Sequence, residues 1–320
     1  MQSEPALILS QVLEKEAEAT RQSEVKTTPP YLRQILRFVK SGFARASALL
    51  RLAILLLVAN LLFALILTLP LYGMLDDSLS TSLRGDRSFG VPDANWFVGF
   101  LQSTQSFLND LSSTILWVGL LYMVMNTMLT AGLLEVLYSE HPFSLRRFFG
   151  GIVTHGANFL RLFGLSLVVY FVVFLVFNKL LGWGLDRWTG DWASEAGTFV
   201  VSLLKNILLG VVLLAAIMIF DYAKIRVVME RSGHVLAETI WALRFVWNRR
   251  WLTLGVFYAL GVISVVLILI YMGMDALLTP KSLWVAVPAF LVQQAFMFSR
   301  MWLRVAFVGA EMEVYKQMAR

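Results

Sequence analysis

Cysteine is absent from this 320-residue sequence, and histidine occurs only three times. Without thiols, the chain has no cysteine nucleophile, thiolate metal site or disulfide. His141, His155 and His234 are too far apart in the sequence for the paired-histidine motifs of zinc hydrolases. The serine nucleophile elbow, the Walker loop and the glycine-rich dinucleotide motif are missing as well. These absences predict a protein that is not an enzyme, with no catalytic residue, cofactor or metal.

Charged residues are scarce too. They make up 15% of the chain, hydrophobic residues make up 58%, and the mean hydropathy is +0.71. Soluble globular domains are only about 45–50% apolar, because polar and charged side chains must cover their exterior. The composition therefore predicts an integral membrane protein.

Six hydrophobic stretches are long enough to cross a bilayer, which takes about 20 mostly apolar residues in a helix. They lie at about 48–74, 112–138, 158–183, 198–220, 251–274 and 283–308. This pattern predicts an all-α membrane domain over residues 29–320, preceded by a polar, mobile cytosolic tail over residues 1–28. An even number of spans places both termini on the same side of the membrane.

The distribution of the 27 lysines and arginines predicts which side that is. In the six-span topology, all but six of them lie on the side of the termini. The six exceptions are Arg84, Arg87, Lys179, Arg187, Lys205 and Lys281. Because Lys and Arg near helix ends resist translocation, the termini are predicted to be cytoplasmic. The basic residues line helix ends rather than one soluble face, so nucleic-acid binding is not expected.

Short patterns recur where the odd-numbered spans begin. They read Leu-Leu-Arg-Leu at 49–52, Phe-Leu-Arg-Leu at 159–162 and Trp-Leu-Thr-Leu at 251–254. Basic, aromatic-rich segments with helical periodicity precede these spans at 31–46, 144–157 and 235–250. Amphipathic helices of this composition lie at the headgroup boundary of membranes. The recurrence predicts three modules, each an interfacial helix followed by a transmembrane hairpin, although short aliphatic matches also arise by chance in membrane proteins.

The last of these segments shows the periodicity most clearly. Ile240, Leu243, Val246 and Trp247 recur at steps of three and four residues, whereas Arg244 falls elsewhere on the helix. We therefore expect an amphipathic interfacial helix here.

Three segments carry a resemblance to a known group of proteins. They are LTAGLLEVLYSEHPFSLRRFFGGI at 129–152, DYAKIRVVMERSGHVLAETIWALRFVWNRRW at 221–251 and SRMWLRVAFVGAEMEVYKQ at 299–317. They resemble uncharacterised six-span bacterial membrane proteins that are distantly similar to the membrane domains of some glycerophosphodiester phosphodiesterases. The resemblance implies a multi-pass protein of the bacterial inner (plasma) membrane. It transfers no catalytic role, and the chain contains no phosphodiesterase domain.

Five polar residues are candidates for a role inside the predicted spans. They are Asn60, Asn126, Thr130, Gln293 and Gln294. Side-chain amides facing lipid would have no hydrogen-bond partner, so we expect them to point inward. Interhelical bonds of this type contribute about 0.6–2 kcal/mol. They suit helix packing and also a polar conduit, and packing is the favoured interpretation.

Five charged residues mark the predicted cytosolic ends of the helices. They are Glu135, Asp221, Lys224, Arg226 and Arg304. Asp221 and Lys224 stand three apart on a helix and can form an ion pair. Glu135 is expected to meet an arginine of a neighbouring module, such as Arg226 or Arg304. The favoured interpretation is anchoring of the helices, and the alternative is a gate or a headgroup-binding site.

Two functional hypotheses follow from these features. The first is a non-enzymatic, lipid-contacting scaffold or accessory subunit of a membrane complex, which touches anionic headgroups at the cytosolic face and has an unidentified protein partner. The second is a transporter of small solutes or lipids, with a polar path past Asn60, Asn126 and Gln293. Ion-coupled transporters usually have an acidic residue near the midplane, and the predicted spans have none there, which favours the scaffold.

Overall fold

The computed structural model describes residues 30–80, 105–139, 141–189, 195–278 and 283–319. Regular structure in these ranges is helical, so the predicted all-α class is confirmed for them. The helices are α1 (Pro30–Ala48), α2 (Leu50–Ser80), α3 (Gln105–Tyr138), α4 (Leu145–Val176), α5 (Gly182–Thr189), α6 (Glu195–Glu230), α7 (Val235–Asn248), α8 (Arg250–Leu277) and α9 (Leu283–Met318). A π-helical turn, Phe177–Leu181, joins α4 to α5. The predicted tail at 1–28 lies outside the described residues.

Four helical segments are long and apolar enough to cross a membrane. They are Leu116–Tyr138, Leu145–Gly184, Phe199–Glu230 and Arg250–Leu277. A fifth is obtained if α1 and α2, which are bent by 76° at their break, are counted together as one broken span. These four to five candidate spans are compatible with a multi-pass membrane protein. The predicted count of six spans stays a prediction, because α9, which contains the stretch 283–308, is not among the candidates.

Helix α9 lies at the centre of the bundle, unlike the other long helices. It packs against α1, α2, α3, α6 and α8. Its second half buries Ala306, Ala310 and Val314. A helix surrounded by protein can carry polar residues that a lipid-exposed helix cannot, and this fits the polar residues in the second half of α9.

Glycines allow two helix pairs to approach closely. Gly42 of α1 faces α9, where a Cβ atom at position 42 would lie 2.4 Å from the carbonyl oxygen of Ala306. Gly151 of α4 faces α3, where a Cβ atom would lie 2.5 Å from the Glu135 Cβ. Small residues at such contacts let the backbones come together. Gly42 and Gly151 thus set the spacing of α1 on α9 and of α4 on α3.

Two of the three predicted interfacial segments are separate helices. Residues 31–46 lie in α1, and a break at Leu49 separates α1 from α2. Residues 235–248 form α7, and a break at Arg249 separates it from α8. The segment 144–157 instead forms the first part of α4, which continues without a break, so a separate interfacial helix is wrong there. The close packing of Gly151 and Gly156 on α3 explains this continuity, because it holds the segment along α3. The threefold repeat stays a prediction.

Buried side chains concentrate at one end of the bundle, which we call the compact end. Its largest members include Phe38, Phe148, Phe159, Tyr222 and Met218, all at most 1% exposed. Farther along the same helices, Phe171, Phe199 and Leu269 are 63%, 69% and 60% exposed. Large exposed apolar surfaces mark contact with a membrane or another protein. The helices therefore pack tightly at the compact end and separate beyond it.

Replacing Gly42 by Ala is expected to destabilise the protein. The added methyl group would collide with the α9 backbone, and overpacking of this kind costs about 1–3 kcal/mol. The measurement is denaturant unfolding of the purified protein in detergent micelles. Gly164→Ala is the matched control, because no atom lies within 4 Å of its added Cβ, and it should leave the free energy of unfolding unchanged or slightly raised. Equal stability of both variants would contradict the close approach of α1 to α9.

Candidate polar site at the compact end

Arg304 of α9 connects two helices through hydrogen bonds. Its Nη1 donates to Asn126 Oδ1 at 2.5 Å, and its Nη2 donates to Thr130 Oγ1 at 2.8 Å and to the Asn126 carbonyl oxygen at 3.2 Å. Three of the candidate residues are therefore in direct contact. Charge-assisted hydrogen bonds of this kind are stronger than those between neutral groups. Arg304 thereby fixes the position of α9 relative to α3.

Asn60 connects three helices in a similar way. Its Nδ2 donates to the Leu56 carbonyl oxygen at 2.7 Å and contacts Met301 Sδ of α9 at 3.4 Å. The Tyr122 hydroxyl of α3 donates to Asn60 Oδ1 at 2.6 Å. Asn60 is buried between these helices. Its hydrogen bonds hold α2 against α3 and α9.

A cavity of about 380 Å³, lined by both charged and apolar side chains, lies beside these contacts. Helices α6, α8 and α9 form most of its wall, and α3 contributes Thr130. Four charged side chains line it: Asp221, Lys224, Arg300 and Arg304. Asp221 Oδ1 and Lys224 Nζ are 2.9 Å apart, so the ion pair predicted from their spacing is present. Three cationic groups and one carboxylate give the cavity an excess of positive charge.

Glu311 of α9 lies near this cavity and is only 1% exposed. Its Oε1 has no hydrogen-bond partner among the described residues. Burial raises the pKa of the Glu311 carboxyl well above its usual range, and the nearby charge of Asp221 raises it further, while Lys224 acts in the opposite direction. The buried Tyr222 hydroxyl also interacts electrostatically with this carboxyl. The arrangement favours a protonated, neutral Glu311.

A second group of polar contacts joins α6, α7 and α9. Arg226 Nε lies 2.7 Å from Glu238 Oε2 of α7, and the Arg226 guanidinium lies 4.1 Å from the centre of the Trp241 ring. The Tyr315 hydroxyl of α9 donates to Glu230 Oε1 at 3.0 Å. Burial raises the pKa of Tyr315, and this hydrogen bond adds to the effect. These contacts place α7 against the ends of α6 and α9.

Within the part of the chain that the structure describes, Glu135 meets a histidine and not an arginine, contrary to the sequence-based expectation. Its Oε2 lies 3.3 Å from His155 Nε2 of α4. The reason is that α3 packs along α4, which brings these two residues together, while Arg226 is already paired with Glu238. Glu135 and Arg226 thus form separate contacts between neighbouring helices.

The two glutamines of α9 do not join the other candidates. Gln293 is exposed within the single chain, and Gln294 is partly buried. The expectation that both point inward is wrong for Gln293. Its position explains the difference, because it lies in the first half of α9, beyond the compact end, where the helices separate.

Sequence reasoning missed two carboxylates of the compact end, Glu311 and Glu238. Glu311 follows Arg304 by seven residues and therefore lies on the same side of α9. Glu238 lies in the first turn of α7, four residues before the buried Ala242. A helical projection of both segments could have indicated these positions, although not their partners.

Comparisons of the chain with known protein families, with curated proteins and with solved structures find no match.

The Arg304 contact with Asn126 can be measured with a double-mutant cycle. We expect Asn126→Ala and Arg304→Ala each to lower the free energy of unfolding, with a coupling energy of about 1–3 kcal/mol, because the two side chains share hydrogen bonds. Unfolding in detergent micelles gives the four values of the cycle. Arg300→Ala is the control, since Arg300 lies one helical turn away and makes no hydrogen bond to Asn126. Additive effects of Asn126→Ala and Arg304→Ala would refute the contact.

Glu311→Gln is expected to stabilise the protein increasingly as the pH rises. The Glu311 carboxyl has a higher pKa in the folded protein than in the unfolded chain. Its contribution to the free energy of unfolding is therefore complete below the unfolded-state pKa and is lost as the pH rises through the folded-state pKa. Glutamine stays neutral, so the difference in stability between variant and parent should grow as the pH rises above the pKa of a carboxyl in the unfolded chain, which is about 4.3. The midpoint of thermal unfolding measures it.

Glu313→Gln provides the opposite control for this measurement. Glu313 pairs with Arg45 at 2.5 Å, so its neutralisation should lower stability. A constant difference between Glu311→Gln and the parent across the pH range would show that the Glu311 carboxyl has no raised pKa.

Proposed function

We propose that the chain is a non-enzymatic, lipid-contacting scaffold or accessory subunit of the bacterial inner membrane. In this proposal six helices cross the bilayer, the termini are cytosolic, and the compact end lies at the cytosolic face. The positive-inside distribution of Lys and Arg supports this orientation. The resemblance of three segments to six-span bacterial membrane proteins supports the location.

The exposed face of α7 is the observation that carries the proposal. Leu236, Ile240, Leu243 and Trp247 are 65%, 53%, 48% and 69% exposed. They follow one another at steps of four, three and four residues, so they form a single stripe on the helix. Arg244 is exposed beside them. An apolar stripe next to a base fits the boundary between acyl chains and anionic headgroups.

Helix α1 has the same composition on its exposed side. Tyr31, Leu32 and Leu36 are 54%, 41% and 62% exposed, and Arg33 and Arg37 are exposed beside them. The buried side of α1, with Phe38 and Gly42, packs against α9. Two amphipathic helices at the compact end therefore offer apolar and basic surface to a membrane.

The deep polar groups support a scaffold over a transporter. Arg304, Asn126 and Thr130 bond one another, and Asn60 bonds Tyr122 and the backbone of its own helix. Groups that are engaged in this way hold helices together. A transport path needs polar groups that are free to contact a solute.

The lipid contact of α7 can be tested with single-cysteine variants, because the chain has no natural cysteine. A nitroxide at Leu243→Cys should be more accessible to oxygen than to a water-soluble nickel chelate, because its stripe lies in the acyl region. A nitroxide at Asn248→Cys, on the polar edge of α7, should show the opposite preference. Electron paramagnetic resonance power saturation in liposomes measures both. Strong nickel accessibility at position 243 would contradict lipid contact.

The transporter hypothesis makes a different prediction in the same liposomes. It requires solute or lipid flux that is lost when Asn126 is replaced by Leu. The scaffold requires no flux in either protein. Flux that depends on Asn126 would overturn the scaffold, whatever the position of α7.

A further inference from the structure

The cavity at the compact end has an opening at the side of the bundle. Asp221 and Lys224 of α6 form one wall, Ser264 and Leu267 of α8 form the other, and α9 forms the floor. Helices α6 and α8 are not among the closely packed helix pairs. Ile268, which is 42% exposed, and the exposed Arg300 lie at the edge of the cavity. Both flanking helices are candidate spans, so in the proposed orientation the opening faces the membrane rather than bulk water.

Arg300 is the cation most available to a ligand in this cavity. Lys224 is paired with Asp221, and Arg304 is held by Asn126 and Thr130. Arg300 forms no ion pair with any carboxylate in the part of the chain that the structure describes, and its guanidinium lies 5.9 Å from the centre of the Phe296 ring. With one carboxylate against three cations, the cavity is complementary to an anion.

An apolar groove continues from the cavity between α8 and α9. It has a volume of about 160 Å³ and shares Leu267 with the cavity. Tyr271 and Phe296 stack across it, with ring centres 4.2 Å apart. From Leu267 to Met274 the groove follows α8 for roughly 10 Å, at 1.5 Å per residue. Along both α8 and α9 the groove leads away from the compact end, toward the region where the helices separate.

We propose that this cleft binds one anionic phospholipid, with its phosphate beside Arg300 and Lys224 and one acyl chain along Leu267 and the Tyr271–Phe296 pair. The site rests on the proposed function, because it needs the compact end at the headgroup level of the cytosolic leaflet. The polarity of the cleft matches that of a lipid, since its cationic part lies at the compact end and its apolar part points into the bilayer. Inorganic phosphate shares the anionic chemistry but would leave the groove unfilled, which favours the lipid.

Native mass spectrometry of the full-length protein tests the site. The detergent-purified protein is titrated with phosphatidylglycerol and, in parallel, with phosphatidylcholine. One phosphatidylglycerol per chain is expected to bind in preference to phosphatidylcholine. Arg300→Gln should weaken this binding by about tenfold, as expected for loss of one charge-assisted contact. Leu267→Gln should weaken it as well, because it places a polar group in the acyl groove.

Two variants control for charge and folding. Arg187→Gln removes the same charge from α5, outside the cleft and outside both amphipathic helices, and should leave the tightly bound lipid in place. Arg300→Lys keeps the cation and should retain most of the binding, and the thermal unfolding of each lipid-free variant shows whether it is folded. Equal losses in Arg300→Gln and Arg187→Gln would mean general electrostatic attraction and would overturn the site.

Inorganic phosphate distinguishes the two sources of an anion. If millimolar phosphate displaces phosphatidylglycerol completely and Leu267→Gln has no effect, the cleft recognises free phosphate, and the lipid proposal is wrong. Loss of the site does not imply failure of the proposed function, because nitroxide accessibility at Leu243 reports on α7 independently of the cleft. A water-exposed α7 together with specific phosphatidylglycerol binding would instead reject the lipid contact of α7 and keep the site.

Discussion

The contact of the Arg304 guanidinium with Asn126 and Thr130 is the interaction on which the arrangement of the helices depends. A cation surrounded by apolar helices cannot be solvated by water and must find acceptors within the protein. Two side-chain oxygens and one backbone oxygen of α3 provide them, so α3 and α9 must keep one register. Because α9 also packs against α1, α2, α6 and α8, this register positions the whole compact end.

The compact end and the separated helices beyond it have different physical roles. At the compact end, close backbone contacts such as Gly42 on Ala306 leave little space, and polar groups bond one another. Beyond it, large apolar side chains are exposed and suit contact with acyl chains. The cleft between α6, α8 and α9 lies at the transition between these regions, where both a charged wall and an apolar groove are available. A lipid headgroup and its chain require this combination.

Local features of the sequence were the most predictable. Composition and hydrophobic runs predicted a helical membrane protein, and helical spacing predicted the Asp221–Lys224 pair. The stripe on α7 was also predictable, although Val246 is buried against the bundle while Ile240, Leu243 and Trp247 are exposed. Partners that belong to different helices were not predictable. Glu135 pairs with His155, and Arg226 pairs with Glu238, because these choices follow from which helices are neighbours.

The sequence by itself determined the helical class, the membrane environment and the amphipathic character of α1 and α7. These properties depend on the residues of one short window, whose contributions to hydropathy and periodicity add up locally. Only the tertiary structure decided that α9 is central, that Glu311 Oε1 is buried without a hydrogen-bond partner among the described residues and that Arg300 borders a cleft. The physical reason is that burial, pairing and cavity shape depend on which faces of distant helices meet, and no single window of the chain contains that information.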